Sequence, residues 1–188
     1  MRLLLATGNA HKLREFARLL PGVELDALPA GLPSPDETGD TYAANALIKA
    51  RAAAAATGRP AFADDSGIEA EALGWAPGVR TARFAGEHAT DGENLRKLHR
   101  EAPPASRARY VCVIAHVTPE GEEALFEGTC AGTLAVEPSG EGGFGYDPLF
   151  VPDEAPGRTM AELSDAEKDA ISHRGHAARE LLAWLRRG

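Results

Sequence analysis

FADDSG, at residues 62–67, joins an apolar run to two adjacent carboxylates and a Ser-Gly pair. The apolar run predicts a buried strand over residues 61–64, and the Ser-Gly pair predicts a turn directly after the carboxylates. Carboxylate oxygens suit Mg²⁺, which takes one or two carboxylates together with substrate phosphates. Asp64 and Asp65 therefore favour a metal-dependent phosphate enzyme, although the same residues in an isolated turn are commonly only solvated.

Strand and helix patterns alternate along the rest of the chain. Strands are predicted at residues 2–6, 23–28, 68–73, 108–117 and 123–136, and helices over residues 42–57 and onward from about residues 10, 91, 165 and 173. The Pro- and Gly-rich residues 29–40 predict a loop. This order predicts a single α/β domain over residues 1–188.

Composition and charge argue against several functional classes. The chain has 188 residues, 44% of them hydrophobic, which is enough for one sizeable core. No apolar run approaches the roughly 20 residues of a membrane span and no secretion signal is recognisable, so we expect a cytoplasmic protein without a membrane partner. The net charge of −8 disfavours nucleic-acid binding. Cys112 and Cys130 lack metal-ligand spacing and are expected to be reduced core thiols.

Two lysines stand where phosphate groups can be bound. Residues 7–12 (TGNAHK) lead into a predicted helix N-terminus, where free backbone N–H groups favour an anion, and Lys12 adds a positive charge. Asn45 and Lys49 share one stripe of the next helix, and Glu37 lies in the loop before it. Taken singly, an ordinary surface lysine and a solvated helix face explain these residues as well.

The glycine-rich residues 140–145 (GEGGFG) match the letters of a dinucleotide fingerprint. That motif must open a helix, whereas Pro148 follows here, so we reject this interpretation. Such glycines can instead let the backbone approach a ligand, with Phe144 as a stacking face.

Seven motifs, in the same order along the chain, resemble the inosine triphosphate pyrophosphatase family. They are Thr7-x-Asn9-x-x-Lys12, Glu37-Thr38-Gly39, Asn45-Ala46-x-x-Lys49-Ala50, Ala63-Asp64-Asp65-Ser66-Gly67, Ala76-Pro77-Gly78, Phe144-Gly145-Tyr146-Asp147-Pro148 and Ser172-His173-Arg174-Gly175. The resemblance covers nearly the whole chain. It implies an elongated mixed β-sheet with flanking helices, two lobes around a central nucleotide cleft, a homodimer, a Mg²⁺ requirement, and hydrolysis of ITP, dITP and XTP to the nucleoside monophosphate and pyrophosphate.

The resemblance also implies a role for each matching residue. It makes Asp65 the proton acceptor for the attacking water and places Glu37 and Asp65 at the metal. The nucleotide would contact Thr7, Gly8, Asn9, Ala10, His11, Lys12, Lys49, Ser66, Phe144, Gly145, Tyr146, Asp147, Lys168, His173 and Arg174. The chain departs from the pattern at Ala44, where many members have Glu, so metal binding here would rely more on Glu37, Asp64, Asp65 and water.

The chemistry of these substrates agrees with the assignment. Hypoxanthine and xanthine carry an oxygen at position 6, whereas adenine carries an amino group there. Donors such as His173 and Arg174 would be left unpaired against adenine, which costs about 1–3 kcal/mol for each buried group. Because neighbouring residues of a strand face opposite sides, we expect one of the paired aspartates to point into the cleft and favour Asp65.

Two other interpretations remain open from the sequence. A Maf-like nucleotide pyrophosphatase would act on modified or pyrimidine nucleotides, and a panel of substrates distinguishes it. A non-catalytic nucleotide sensor would bind ITP without turnover. The acidic residues Glu37, Asp64 and Asp65 argue against a sensor, because they are unfavourable beside a triphosphate unless a metal ion is bound.

Overall fold

A computed structural model describes residues 1–29, 31–32 and 35–187. These residues form seven β-strands, five α-helices and four short 3₁₀ helices. The strands are β1 (Arg2–Leu5), β2 (Glu24–Ala27), β3 (Ala61–Ala70), β4 (Ala76–Pro77), β5 (Arg107–Val117), β6 (Glu123–Leu134) and β7 (Phe150–Pro152). The α-helices are α1 (Ala10–Leu19), α2 (Tyr42–Thr57), α3 (Asp91–Glu101), α4 (Asp165–Ile171) and α5 (His173–Leu185). The 3₁₀ helices are Glu71–Leu73, Gly78–Arg83, Asp147–Leu149 and Met160–Glu162.

The seven strands of the described residues belong to one sheet. Its order is β2-β1-β3-β5-β6-β7, with β4 paired to β3. β1 runs parallel to β2 and to β3, whereas β4 is antiparallel to β3 and β7 is antiparallel to β6. The predicted α/β class with a mixed sheet and helices is therefore confirmed.

The predicted turn at Ser66 and Gly67 is wrong. β3 continues from Ala61 to Ala70 without interruption, and the last three residues of the strand predicted at 68–73 form a 3₁₀ helix instead. β3 lies between β1 and β5 in the sheet and also pairs with β4. Pairing with neighbouring strands keeps Ser66 and Gly67 extended, because sheet context outweighs their local preference for turns.

Contacts between neighbouring residues set both ends of α2. α2 has the predicted bounds, and its N-cap Thr41 accepts the N–H of Ala44 at 3.1 Å through its hydroxyl. Gly58 ends α2 with a φ of 62°, a left-handed conformation that glycine adopts without strain. Residues 30, 33 and 34 of the predicted loop lie outside the described residues, and the described part of residues 29–40 forms no helix or strand.

The chain divides into two compact units. Unit 1 contains Met1–Asp65, Cys112–Gly128 and Arg174–Gly188, and unit 2 contains Ser66–Val111 and Thr129–His173.

Each unit has its own apolar packing. Unit 1 has one cluster that includes Phe16 and Phe62, edge to face at 5.2 Å, and a second cluster of small residues along α2. Unit 2 has one cluster that includes Tyr110 and Phe150. Cys112 and Cys130 are buried free thiols, as predicted. Within the part of the chain that the structure describes, no helix is long and apolar enough to cross a membrane.

Candidate functional site

The N-terminus of α1, in unit 1, is closed by side chains from its own segment. Asn9 caps the helix, and its Oδ1 accepts the N–H groups of His11 at 2.8 Å and Lys12 at 3.3 Å. Thr7 Oγ1 accepts the N–H of Asn9 at 3.1 Å. These three N–H groups are therefore not free for an anion, contrary to the prediction, because the cap residues already satisfy them. The positive charge of Lys12 then carries more of any anion binding at this end.

Asp64 lies in a buried network of ion pairs. Its Oδ2 is 2.9 Å from Lys12 Nζ and 3.1 Å from Arg174 Nη2, and Arg174 Nη1 donates to Glu15 Oε2 at 2.5 Å. Burial by itself would raise the pKa of Asp64, but the positive charges of Lys12, Arg174 and Lys49 outweigh it and hold this pKa well below its usual range. The two ion pairs therefore favour the ionised form of the Asp64 carboxylate.

Glu15 is a residue of this network that the sequence analysis missed. It is buried on α1 beside Phe16 and binds the guanidinium of Arg174. In the sequence, Glu15 lies at helical spacing from His11, Lys12 and Arg18, so nothing distinguished it from a solvated residue. Its burial requires a partner, because an unpaired buried charge is costly. With Asp64 and Glu15 both bound to Arg174, the predicted contact between Arg174 and the nucleotide stays a prediction.

Asp65 faces a different set of residues. Its Oδ2 accepts a hydrogen bond from Asn45 Nδ2 at 3.0 Å, and its Oδ1 lies 3.9 Å from Lys49 Nζ. Lys49 Nζ donates to Glu37 Oε1 at 2.6 Å. Burial raises the pKa of Asp65; Lys49 opposes this rise, and the negative charge of Glu37 adds to it. Two adjacent aspartates thus have pKa values shifted in opposite directions, a pattern that separates a fixed charge from a group that can accept a proton.

Glu37 and Asp65, which the resemblance places at a metal, both lie within 4 Å of the Lys49 ammonium. In the described residues, no group of three or more His, Cys, Asp or Glu side chains is placed to hold a metal ion. Asp64 Oδ1 is buried without a hydrogen-bond partner within that same part of the chain. Two carboxylates fit Mg²⁺, which completes its shell with water and phosphate oxygens, better than they fit Zn²⁺ or Ca²⁺, which take more protein ligands.

Asn45 was noted on the polar stripe of α2, but the sequence analysis assigned it no role. It is fully buried, and while its Nδ2 binds Asp65, its Oδ1 accepts the N–H of Gly39 at 2.8 Å. A Cβ at Gly39 would lie 2.6 Å from Ala44 Cβ, so the loop after Glu37 packs directly against α2. Asn45 therefore ties Asp65 to the loop that carries Glu37.

In unit 2, Asp147 brings together several of the predicted residues. Its Oδ2 accepts hydrogen bonds from Lys168 Nζ at 2.7 Å and from the N–H of Phe144 at 2.9 Å. Its Oδ1 accepts one from the hydroxyl of Tyr110 at 3.2 Å. The ammonium of Lys168 lies 5.2 Å from the centre of the Phe144 ring, within the range of a cation–π contact. Asp147 is only 3% exposed, so its carboxylate mainly holds these neighbours in place.

Glycines allow the loop before Asp147 to approach that carboxylate. A Cβ at Gly143 would lie 2.0 Å from Asp147 Oδ2, and Gly143 has a φ of 68°. Gly145, with a φ of 63°, donates its N–H to Asp91 Oδ2 at 3.1 Å. The loop leads into the 3₁₀ helix Asp147–Leu149, so the rejection of a dinucleotide fingerprint, which must open an α-helix, is confirmed.

His173 is buried in unit 2, where its ring stacks on Tyr110 with centroids 4.6 Å apart and planes 10° apart. Ser66 is half-buried on β3 in the same unit. Tyr110 was not predicted as a site residue, because an aromatic residue in an apolar strand predicts only core packing.

Comparison with proteins of known sequence places the chain in a family. The Ham1 family matches residues 3–184. A relative from Symbiobacterium thermophilum, named dITP/XTP pyrophosphatase, is 51% identical over 190 residues, which cover 98% of this chain and 94% of the relative. A protein of the same name from Cutibacterium acnes is 47% identical over 192 residues, covering 96% of this chain and 94% of the relative.

Solved structures agree with these relatives. A HAM1 protein from Coxiella burnetii has a TM-score of 0.86 at 41% identity and covers 100% of both chains. A nucleoside-triphosphatase, also named dITP/XTP pyrophosphatase, from Mycobacterium abscessus has a TM-score of 0.74 at 46% identity and covers 97% of this chain and 99% of its own. The motifs, the fold and the full-length matches agree, and this chain is a member of the Ham1 family.

Proposed function

We propose that this chain hydrolyses dITP, XTP and ITP to the nucleoside monophosphate and pyrophosphate, and so removes deaminated purine nucleotides from the nucleotide pool. Full-length relatives named dITP/XTP pyrophosphatase support the first two substrates. The observation that carries the proposal is the group formed by Glu37, Lys49 and Asp65, in which two carboxylates adjoin one ammonium. Two acids with a fixed cation are the side chains that a metal-bound polyphosphate needs.

Lys12 and Lys49 are the proposed ligands of the triphosphate. The ammonium of Lys49 keeps its proton, because burial lowers its pKa but the charges of Asp64, Asp65 and Glu37 raise it by more. Lys12 is held by Asp64, which fixes the direction of a long and flexible side chain. Both lysines would stabilise the negative charge that develops on the leaving pyrophosphate.

Asp65 is the proposed proton acceptor for the attacking water. Asn45 orients the Asp65 carboxylate by a hydrogen bond. Lys49, which lies near Asp65, donates a hydrogen bond to Glu37. Asp64 is unsuited to this role, because Lys12 and Arg174 hold it as a fixed charge. Glu37 and Asp65 would hold Mg²⁺, which when bound supplies positive charge to the phosphate oxygens.

Phe144, Lys168 and His173 are the proposed contacts of the base. The Phe144 ring offers a face for stacking, and Lys168 and His173 supply hydrogen-bond donors for an oxygen at position 6. The single catalytic domain over residues 1–188, with the two lobes and the nucleotide cleft that the family resemblance implies, remains a prediction. The homodimer and the cytoplasmic location also remain predictions.

Steady-state assays with Mg²⁺ and equal concentrations of dITP, XTP, ITP, GTP and ATP test this proposal. We expect pyrophosphate from the first three nucleotides, at rates well above those for ATP, and no activity after chelation with EDTA. Orthophosphate as the first product, or equal rates for ATP and XTP, would contradict the proposal.

A further inference from the structure

Tyr110 connects two residues of unit 2 that are proposed to lie near the base. Its ring stacks on His173, with the centroids 4.6 Å apart and the planes only 10° from parallel. Its hydroxyl donates to Asp147 Oδ1 at 3.2 Å. A displacement of Tyr110 would therefore disturb the positions of both the His173 ring and the Asp147 carboxylate.

Asp147, held by Tyr110, in turn fixes the positions of Lys168 and Phe144. Its second oxygen accepts hydrogen bonds from the Lys168 ammonium at 2.7 Å and from the N–H of Phe144 at 2.9 Å. The side chains of Lys168 and Asp147 are 6% and 5% exposed, so water screens their ion pair little. The absence of room for a Cβ at Gly143 shows how closely the loop packs on this carboxylate.

The surroundings of Tyr110 make it a rigid support. It lies on β5, between β3 and β6 in the sheet, and its ring meets Phe150 edge to face with centroids 4.7 Å apart. A tyrosine has only two side-chain torsions, so contacts with the rings of His173 and Phe150 fix the direction of its hydroxyl at little cost in conformational entropy.

We propose that Tyr110 is a positioning residue for base selection, which fixes the plane of His173 by stacking and the ammonium of Lys168 through Asp147. The inference rests on the proposed function, because His173 and Lys168 matter here as donors to the base. Such donors reject an analogue only if they are held in place, since a mobile donor can turn away from an unsuitable group. Tyr110 itself contacts no reacting atom.

Two substitutions separate the hydrogen bond from the stack. Tyr110→Phe removes the hydroxyl and keeps the ring, whereas Tyr110→Leu removes both. For Tyr110→Phe we expect KM for XTP and dITP to rise about 3- to 10-fold with kcat within about twofold, because the lost bond acts through Asp147 and costs less than a direct contact. The preference for XTP over ATP should shrink, and Tyr110→Leu should shrink it further.

Tyr42→Phe is the matched control, since it also removes the hydroxyl of a buried tyrosine but lies on α2 in unit 1. It should leave KM and the XTP preference unchanged. If Tyr110→Leu fails to fold, the comparison of Tyr110→Phe with Tyr42→Phe decides, because both keep their rings. Unchanged KM and selectivity in a folded Tyr110→Phe variant would overturn the inference alone, whereas an unmodified chain that releases no pyrophosphate from XTP or dITP would overturn the proposed function and the inference with it.

Discussion

The polar residues of unit 1 and unit 2 form clusters of different composition. Unit 1 brings together four acids and three cations, which are Glu15, Glu37, Asp64, Asp65, Lys12, Lys49 and Arg174. Unit 2 places one ion pair, Asp147 with Lys168, among the rings of Tyr110, Phe144 and His173. Many charges of both signs suit a polyphosphate with its metal, whereas rings with a few fixed donors suit a purine base.

The comparison also shows that one residue type serves three purposes. Asp64 is held ionised by Lys12 and Arg174, and burial raises the pKa of Asp65. Asp147 uses both oxygens to hold Lys168, Phe144 and Tyr110 in place. The partners of each carboxylate, and not the residue type, therefore determine whether it is a fixed charge, a proton acceptor or a structural support.

The largest effect is expected in unit 1, from Asp65→Asn. Removal of the proposed proton acceptor should lower kcat by about 10³-fold, because general base catalysis typically contributes about 10²- to 10⁴-fold. Binding of XTP should remain measurable by calorimetry, since Lys12 and Lys49 are intact. Pyrophosphate release with Mg²⁺ is the measurement. Asp153→Asn, at an exposed aspartate paired with Arg107, is the matched control and should retain normal turnover; near-normal turnover of Asp65→Asn would refute the base assignment.

Lys12→Ala should have the second largest effect. It removes a charge proposed to bind phosphates, so KM for XTP should rise by about 10-fold or more, in line with about 1.5–3 kcal/mol for a hydrogen bond to a charged group. Inhibition by the monophosphate product should change less, because fewer phosphates are involved. Arg18→Ala removes one charge from the exposed end of the same helix and serves as the control. An equal loss of affinity for monophosphate and triphosphate would argue that Lys12 does not act at the phosphates.

Lys168→Met probes the cluster of unit 2 and should affect selectivity more than rate. We expect the preference for XTP over ATP to shrink by several-fold, with kcat nearly unchanged, because the lost donor is proposed to face the base and not the phosphates. Lys97→Met is the control, since the Lys97 ammonium binds the Phe84 carbonyl at 2.7 Å in the same unit. A fall in kcat without a change in selectivity would contradict the proposal that the cluster of unit 2 binds the base while the cluster of unit 1 binds the phosphates.

The smallest effect is expected from Glu167→Gln, on the helix that carries Lys168. Glu167 accepts hydrogen bonds from Arg158 and from the N–H and hydroxyl of Ser164, which lower its pKa from 4.5 to about 2. A carboxyl group whose pKa is lowered by folding stabilises the fold at pH values above its ordinary pKa of 4.5. This stabilisation is lost as the pH falls towards about 2. Glu167→Gln should therefore lower Tm by roughly 1–3 °C at pH 7 and by less in acid. Thermal unfolding followed by circular dichroism, with Glu120→Gln as the control, measures this; a difference that grows in acid would contradict it.

Local signals were readable from the sequence wherever neighbouring residues make the contact. Asn9 caps α1 and Gly58 ends α2, and each contact joins residues within four positions of each other. The prediction of a turn after Asp65 was wrong because the structure of this segment depends on contacts that are not local in sequence. The segment belongs to β3, which lies beside β5 in the sheet, and no short window of sequence contains both strands.

By itself, the sequence determined the α/β class, the approximate helix starts and the ordered set of motifs that places this chain in the Ham1 family. Only the tertiary structure decided that Arg174 binds Glu15 and Asp64, that Asn45 holds Asp65, and that Tyr110 supports His173. The physical reason is sequence distance. Arg174 and Glu15 are 159 positions apart, and a buried charge takes the partner that the fold brings to it, which composition and spacing do not specify.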